Sequence, residues 1–358
     1  MFDFGLHFPS QAIDLSGETP PPLNPPYEDR LRNLITDVPG LKVGNAEDFR
    51  LGSGSTALVF DEPAIASVDV RGGGPGTRET DLLDPARTVS GIDAIVLSGG
   101  SAFGLDAASG AQAWLREQGR GFAIGAARVP IVSAAVLFDL LSSGDKNWGR
   151  FPPYRELGYA AAANAAHDFA LGSVGAGTGA TTVNYKGGLG SASAQSAGGL
   201  TIGALAAVNS VGSVVMGDGP WFWAAPFEIN GEFGGVGLPD RLSPKILEPL
   251  MKGAAHESTT LVAVATDAIL TKAEARRLAI MAHSGLARAI YPAHSPLDGD
   301  IVFAASTGRR PLADPVRGLA HLGALGANVV ARAIARGVFA ARALPGDVLP
   351  SWNDRFGR

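Results

Sequence analysis

The sequence predicts a layered α/β fold with a mixed or antiparallel sheet. Short apolar runs rich in β-branched residues alternate with stretches whose apolar residues recur at helical spacing. Several β-type runs follow one another without a helical stretch between them, which argues against a purely parallel sheet. The aromatic fraction is only 7%, and alanines are frequent in the helical stretches, as suits helices packed closely on sheet faces.

Five short segments are predicted to be strands. They are residues 56–60, 64–70, 93–98, 259–267 and 301–306. Residues 200–216 are also β-type, and they fit either two strands or one long bent strand with Asn209 in its middle.

Helical periodicity covers residues 101–118, 154–169 and 316–342. Another helix is expected after Thr271, because Glu274 follows three residues later and the pair forms a capping box. Between the strands and this helix, residues 218–257 lack a clear period, so we expect a long connecting region there.

Composition places the chain in the globular class. Its 358 residues are enough for one large core or two ordinary domains, with 46% hydrophobic and 18% charged residues. The net charge of -5 does not suggest a nucleic-acid surface. Because the chain has no cysteine, disulfides, thiolate zinc sites and a cysteine nucleophile are all excluded.

The first 33 residues are predicted to be a proline-rich extension. The run TPPPLNPPYED within it cannot form a helix or a central strand, since proline lacks the amide donor and restricts its neighbour. The extension either wraps the body or a partner subunit, or is disordered. It contains no basic region before an apolar run, and no stretch of the chain reaches about 18 uninterrupted apolar residues. We therefore expect a cytoplasmic protein that does not contact a membrane.

Glycine-rich motifs suggest nucleotide binding, but their context argues against it. Residues 174–180 contain a formal GxGxxA pattern, yet the β-branched and glycine-rich residues that follow do not predict the helix that must hold a pyrophosphate. Residues 98–104 follow a strand and open a helix, which is a better geometry for an anion. A P-loop is absent, so a nucleotide-binding enzyme is the weaker alternative.

Histidines and carboxylates do not form a familiar hydrolase or metal motif. The sequence has neither GxSxG nor HExxH, and its six histidines are scattered. His294 with Asp298 and Asp300 comes nearest to a metal site, although a polar loop is the more common role of such a group. We predict no metal and no other cofactor.

Two segments carry the strongest functional signal, STTLVAVATD at 258–267 and LDGDIVFA at 297–304. Each alone is ordinary, because a threonine often opens a strand and Asp-Gly-Asp is usually a turn. Together with other segments in the same order, they resemble the DmpA-type hydrolases, a family that includes β-aminopeptidases and nylon-oligomer hydrolases. The other segments, which extend the resemblance from about residue 34 to 310, are 34–48, 69–83, 95–110, 174–182 and 208–212.

The resemblance implies a four-layer αββα sandwich with mixed sheets, of the N-terminal-nucleophile-like, DmpA type. It also implies that residues 34–358 form one hydrolase domain, and that the chain cuts itself into 1–258 and 259–358. The expected substrate is a small amide or short peptide. The expected partners are the chain's own cleaved subunit and further copies, in a tetramer of heterodimers.

By register with the family, Thr259 would head the small subunit and act as nucleophile. Ser258 is kept as the alternative nucleophile. Thr260 is expected to face the other side of the sheet. A threonine hydroxyl needs a base. Cleavage would supply one, since an α-amine has an unperturbed pKa of about 7.7–8.0. Before cleavage the same nitrogen is an amide and cannot accept a proton.

The resemblance assigns roles to four further residues. Asp298 and Asp300 would orient the ammonium and hydroxyl groups of the nucleophile. Asn209 would donate its amide to the developing oxyanion, the other interpretation being an asparagine at a strand bend. Lys186 would offset the charge of the two aspartates, although a lysine in a solvated turn fits the sequence nearly as well.

Two departures from the family concern the cleavage site and the substrate. Ser258 stands where the family usually has Asn or Gly, and Phe138, a predicted substrate-binding residue, stands where relatives carry Tyr. Both leave open an uncleaved, non-catalytic protein that serves as a binding or scaffold protein. The pair Asp298 and Asp300 follows the nylon-oligomer branch, which favours 6-aminohexanoate oligomers; a general L-aminopeptidase/D-esterase is the alternative.

Overall fold

The computed structural model describes residues 31–241, 243–253 and 258–357, so the predicted extension lies almost wholly outside it. The strands of this part are β1 (Leu41–Asp48), β2 (Ser53–Val70), β3 (Gly76–Arg78), β4 (Ile92–Ser98), β5 (Phe122–Ile124), β6 (Ala127–Val129), β7 (Val132–Val136), β8 (Gly188–Gln195), β9 (Thr201–Asn209), β10 (Thr259–Ala268) and β11 (Ile301–Arg310). The α-helices are α1 (Asp106–Glu117), α2 (Tyr154–Ala163), α3 (Lys272–Ala289), α4 (Pro315–Ala340) and α5 (Trp352–Phe356).

The long strand β2 belongs to two sheets. Its first part pairs with β1 and β4, and its last part pairs with β11. The strand order is β3-β7-β4-β2-β11-β10-β9-β8, with β1 also on β2. The β4–β7 and β10–β11 pairs are parallel and the other pairs of this path are antiparallel, so the sheets are mixed as predicted.

Three hydrophobic cores separate four layers. One core joins α1 and α2 to the first sheet, one lies between the sheets, and one joins the second sheet to α3 and α4. Strand β10 contributes to two of them, because successive side chains point to opposite faces. Leu261, Ala263 and Ala265 face the other sheet, whereas Val262 and Val264 face the helices. This arrangement is the four-layer αββα sandwich.

The helices of the outer layer begin where the sequence predicts. Thr271 caps α3: its hydroxyl accepts a hydrogen bond from the Glu274 amide, and the Glu274 carboxylate accepts one from the Thr271 amide. Helix α4 is long and apolar enough to cross a membrane by length and composition, but 72% of its most apolar window is buried in the fold. It lies directly on β8, where a Cβ on Gly190 would overlap the Ala333 carbonyl oxygen.

Several predicted boundaries were wrong. Residues 56–60 and 64–70 form one strand, because the exposed residues 61–63 bend it without ending it. The helix from Tyr154 ends at Ala163, and Asn164 instead donates to the Asn45 carbonyl. Asn209 ends β9 rather than lying in the middle of a longer strand.

The turn at 98–104 has the shape expected of an anion site, but the Asp139 carboxylate of the same chain already occupies it. A short 3-10 turn at Ser101–Leu105 precedes α1, and the Gly100 amide donates to the Asp139 carboxylate at 2.7 Å. No α-helix follows Ala180 before β8 begins at Gly188. Neither glycine motif therefore presents a helix end to a pyrophosphate.

Candidate active site

Thr259 is the first residue of β10, and Asn209, the last residue of β9, lies directly opposite it. Directly opposed residues of an antiparallel pair project to the same face, so the two side chains are neighbours. Both are buried, with 4% and 1% of their surface exposed. The Thr259 hydroxyl donates a hydrogen bond to the carbonyl oxygen of Ser258 at 2.6 Å. The predicted nucleophile thus lies against the peptide bond that it is expected to cut.

The Ser258 carbonyl also accepts a second hydrogen bond, from the Gly299 amide at 2.7 Å. Ser258 reaches this position because it forms a parallel bridge with Asp298, one residue before β10 begins. A Cβ on Gly299 would lie 2.5 Å from the Thr259 hydroxyl oxygen and 2.7 Å from the Gly74 carbonyl oxygen. Only glycine therefore fits between the two aspartates of the DGD motif.

Asp298 lies just before β11, and three hydrogen-bond donors hold its carboxylate. Its Oδ1 accepts from the Val211 amide at 3.1 Å, and its Oδ2 accepts from the amide and hydroxyl of Ser295 at 3.1 and 2.9 Å. Burial raises the pKa of Asp298, and the nearby charge of Asp300 raises it further.

Asp300 holds the residue that follows Thr259. Its Oδ1 accepts from the Thr260 amide at 2.9 Å, while its Oδ2 accepts from the His294 amide and lies 2.9 Å from His294 Nδ1. The His294 ring packs edge-on against His283, with 4.9 Å between ring centroids. Burial lowers the pKa of His283 to about 4. His294, which the sequence placed nearest to a metal motif, is here a hydrogen-bond partner of Asp300.

Asn209, opposite Thr259, also contacts Thr181 and Phe138 on other segments of the chain. Its Oδ1 accepts from the Thr181 amide at 3.0 Å, and its Nδ2 donates to the Phe138 carbonyl at 3.0 Å. One Nδ2 hydrogen is used by Phe138, so the second can point to a reacting oxygen. The Phe138 side chain lines a cavity of about 440 Å³ next to the site.

Lys186 takes a different position from the expected one. It is fully buried, and its Nζ lies 2.8 Å from a carboxylate oxygen of Asp347, near the C-terminus of the chain. Within the described residues, no lysine or arginine nitrogen lies within 4 Å of the Asp298 or Asp300 carboxylates. The expectation that Lys186 offsets these two charges is therefore corrected, because its charge is paired with Asp347.

Sequence reasoning missed Lys252, the cation that does approach the site. Its Nζ donates to the Thr181 carbonyl at 2.8 Å and to Asn209 Oδ1 at 3.3 Å. Burial lowers the pKa of Lys252 to about 7, and the charge of Asp298 partly opposes that shift. The lysine belongs to the connecting region that lacks periodicity, so no sequence pattern marks it.

Comparison with known proteins identifies the family. The model of peptidase family S58 matches residues 33–348. An uncharacterised aminopeptidase of Mycobacterium bovis is 42% identical over 345 residues, which cover 90% of this chain and 98% of the relative. A 6-aminohexanoate-oligomer endohydrolase of Kocuria sp. is 28% identical over 287 residues, 76% of this chain and 75% of that enzyme.

A solved structure supports the fold. The L-aminopeptidase D-Ala-esterase/amidase of Ochrobactrum anthropi, a variant of the Ntn hydrolase fold, superposes with a TM-score of 0.64 over 91% of this chain and 94% of that one, at 23% identity. The αββα layers thus match the Ntn hydrolase fold. The chain belongs to peptidase family S58 and is therefore a hydrolase of peptide bonds.

Proposed function

We propose that the protein is a self-processing hydrolase in which Thr259, freed by cleavage after Ser258, attacks small amides and short peptides. The contact between the Thr259 hydroxyl and the Ser258 carbonyl, 2.6 Å, carries this proposal. The threonine heads a core strand, faces Asn209 across the sheet, and is followed by a residue fixed on Asp300.

Self-cleavage would begin with attack of the Thr259 hydroxyl oxygen on the Ser258 carbonyl carbon. The bond to the Thr259 nitrogen breaks, that nitrogen takes up the hydroxyl proton, and an ester joins Ser258 to the threonine oxygen. Water then hydrolyses the ester to a Ser258 carboxylate and a free Thr259 α-amine. The Gly299 amide, 2.7 Å from the Ser258 oxygen, would stabilise the charge that develops there.

Turnover would use the new α-amine as the base for its own hydroxyl. Its unperturbed pKa of about 7.7–8.0 is close to neutral pH, where general-base catalysis is efficient. The substrate acyl group would pass to the threonine oxygen and then to water, with the second Nδ2 hydrogen of Asn209 donated to the substrate oxyanion. Asp298 and Asp300 would hold the ammonium form and the strand that carries it.

The proposed substrates include amides of linear ω-amino acids, such as 6-aminohexanoate oligomers, and short β- or D-amino-acid amides. Asp298 and Asp300 support the first class through their match to the nylon-oligomer branch. The relative named as an oligomer hydrolase shares 28% identity, less than the 42% of a relative named as an aminopeptidase. A general L-aminopeptidase/D-esterase is therefore the competing specificity.

Intact-mass measurement of the purified protein tests the cleavage. We expect fragments of 258 and 100 residues, and N-terminal sequencing of the smaller one should read TTLVAV. A single stable chain after prolonged incubation would contradict the proposal and leave the non-catalytic alternative.

Substrate choice is tested by comparing kcat/KM on 6-aminohexanoate oligomers, β-alanyl amides and L-alanyl anilides. If the L-α substrates are preferred by more than tenfold, about 1.4 kcal/mol of transition-state discrimination, the oligomer specificity is wrong while the nucleophile assignment stands.

A further inference from the structure

The side-chain amide of Asn209 lies between two hydrogen-bond donors and one acceptor. Its Oδ1 accepts from the Thr181 amide at 3.0 Å and from Lys252 Nζ at 3.3 Å, while its Nδ2 donates to the Phe138 carbonyl at 3.0 Å. Rotating the amide by half a turn would bring its NH₂ group against the two donors and its oxygen against the Phe138 carbonyl. All three hydrogen bonds would be lost, so one orientation of the amide is strongly preferred.

Lys252 is the charged member of these three partners. The Thr181 amide and the Phe138 carbonyl are neutral backbone groups that fix the direction of the Asn209 amide. The ammonium adds a positive charge on the oxygen side, and a charge-assisted hydrogen bond is roughly twice as strong as a neutral one. Because linked hydrogen bonds polarise one another, this charge makes the Nδ2 hydrogens of Asn209 more positive. A more positive hydrogen stabilises a developing oxyanion better.

The contacts of Lys252 do not depend on the bond that the protein is proposed to cut. Its amide donates to the Val211 carbonyl at 3.0 Å, and its Nζ donates to the Thr181 carbonyl at 2.8 Å. These partners and Asn209 all precede the proposed cut after Ser258, as does Lys252 itself. Cleavage breaks none of these hydrogen bonds, so we expect the ammonium to stay on Asn209 during turnover.

We propose that Lys252 is a positioning residue for Asn209: its ammonium holds Asn209 Oδ1 and polarises the amide, so that the second Nδ2 hydrogen is presented to the substrate oxyanion. This inference rests on the proposed function, in which Asn209 is the oxyanion donor. Lys252 acts through Asn209 rather than on the substrate. Its charge therefore matters for kcat, and only while Asn209 is present.

The competing role for Lys252 is charge balance with Asp298, the carboxylate whose charge acts on it from the segment before β11. Charge balance would still operate when Asn209 is replaced, whereas polarisation of Asn209 would not. A comparison with and without Asn209 therefore separates the two roles.

Alkylation of Lys252→Cys tests the role of the charge. The chain has no cysteine of its own, and the half-buried position 252 lines the cavity, so a small reagent can reach it. With 2-bromoethylamine the sulfur gains an aminoethyl group and bromide leaves, which restores an ammonium on a side chain of lysine length. With 2-bromoethanol the same position gains a hydroxyethyl group of equal length without the charge.

In the cut protein, Lys252→Cys should lower kcat and kcat/KM together by about tenfold or more, because a hydrogen bond from a charged donor is lost. Aminoethylation should restore most of the activity, and hydroxyethylation should not. In an Asn209→Ala background, aminoethylation should change kcat by no more than about twofold. Alkylation of Lys245→Cys, at an exposed lysine of the same connecting region, should change nothing.

Three results would overturn the positioning role. They are a change confined to KM, equal recovery with the two reagents, and a response to aminoethylation that persists without Asn209.

NMR of uncut Thr259→Ala protein gives a measurement that does not depend on catalysis. The side-chain amide hydrogens of Asn209, assigned by their absence in Asn209→Ala, should move upfield in Lys252→Cys, since they become less polarised. Aminoethylation should move them back and hydroxyethylation should not; the same positions in both adducts would overturn the inference. If the wild type neither cuts itself nor hydrolyses amides, the proposed function fails, while this measurement still decides whether Lys252 polarises Asn209.

Discussion

Two groups of buried charges, one around Thr259 and one around Lys186, differ in whether a lysine or arginine lies next to their carboxylates. Around Thr259, the carboxylates of Asp298 and Asp300 have no lysine or arginine nitrogen within 4 Å among the described residues. In the second group, Lys186 lies 2.8 Å from Asp347, and the charges of Lys186 and Lys146 both lower the pKa of Asp139, although burial raises it more.

This difference suggests that the charges around Thr259 serve a reaction and that the charges around Lys186 serve the stability of the fold. A buried carboxylate with no lysine or arginine beside it is costly even when hydrogen-bonded, so we infer that it has another role, such as in a reaction. In a buried ion pair each charge is neutralised by the other, and the pair holds together the two segments that contribute it. We therefore expect substitutions near Thr259 to change activity, and substitutions around Lys186 to change stability.

The largest effect is expected at the nucleophile. Thr259→Ala removes the hydroxyl used in both reactions but little core volume, so the protein should fold, remain uncut and lose on the order of 10⁴-fold in activity or more. Thr259→Ser should keep partial activity. Intact mass and an amide-hydrolysis assay measure the two effects.

Thr260→Ala is the matched control, because the buried Thr260 hydroxyl has no hydrogen-bond partner within the described structure and its backbone amide still reaches Asp300. Ser258→Ala tests the alternative nucleophile. Cleavage that survives Thr259→Ala but not Ser258→Ala would move the assignment to Ser258.

Breaking the ion pair between Lys186 and Asp347 tests whether this group of charges serves stability. Lys186→Met leaves the Asp347 carboxylate buried without its cation, which should lower the free energy of unfolding by about 3–5 kcal/mol. Lys42→Met breaks the exposed pair with Asp61, at 3.6 Å, and should cost about 1 kcal/mol or less. Urea unfolding measures both. If Lys186→Met abolished cleavage at unchanged stability, Lys186 would belong to the catalytic group after all.

Removing the predicted oxyanion donor should have the next largest effect. Asn209→Ala should lower kcat by about 10²–10³-fold, which is typical when one such donor is lost. KM-against-kcat analysis is informative, because a donor used only in the transition state lowers kcat and kcat/KM together. A change confined to KM would show that Asn209 binds substrate without stabilising the oxyanion.

The glycine between the aspartates offers a steric test with a close control. Gly299→Ala places a Cβ 2.5 Å from the Thr259 hydroxyl oxygen and should slow self-cleavage by roughly 100-fold, as misplacement by about 1 Å can. Gly74→Ala, on the adjacent loop, adds a Cβ whose nearest neighbour is 3.8 Å away. Equal cleavage rates in the two variants would mean that the Thr259 position tolerates this displacement.

The sequence predicted which candidate residues lie around Thr259 better than it predicted the charged groups next to them. Thr259 and the DGD motif lie at strand ends that apolar runs and the resemblance locate, whereas the end of β9 at Asn209 was not predicted. The charge partners could not be predicted, because Lys186 and Lys252 owe their positions to the C-terminal segment and to a connecting region without periodicity. The continuous β2 was missed for a similar reason: the exposed residues 61–63 look like a break, and only pairing with β11 shows that the strand continues.

The smallest expected effect concerns pH and His283, the buried histidine that packs against His294. His283 is 1% exposed, and burial lowers its pKa to about 4 from an unfolded value of about 6.5. Between these values the unfolded chain binds more protons than the folded one, so stability is lost as pH falls from 6.5 toward 4. This one group should cost about 2 kcal/mol between pH 7 and pH 5. Urea unfolding at the two pH values should show a smaller loss for His283→Gln than for the wild type, and an unchanged loss for His321→Gln, on an exposed part of α4. Equal losses in all three proteins would mean that His283 is already protonated in the folded protein. A cation would then lie next to His294, which contacts Asp300. That result would contradict the inference that the carboxylates around Thr259 lack a nearby positive charge.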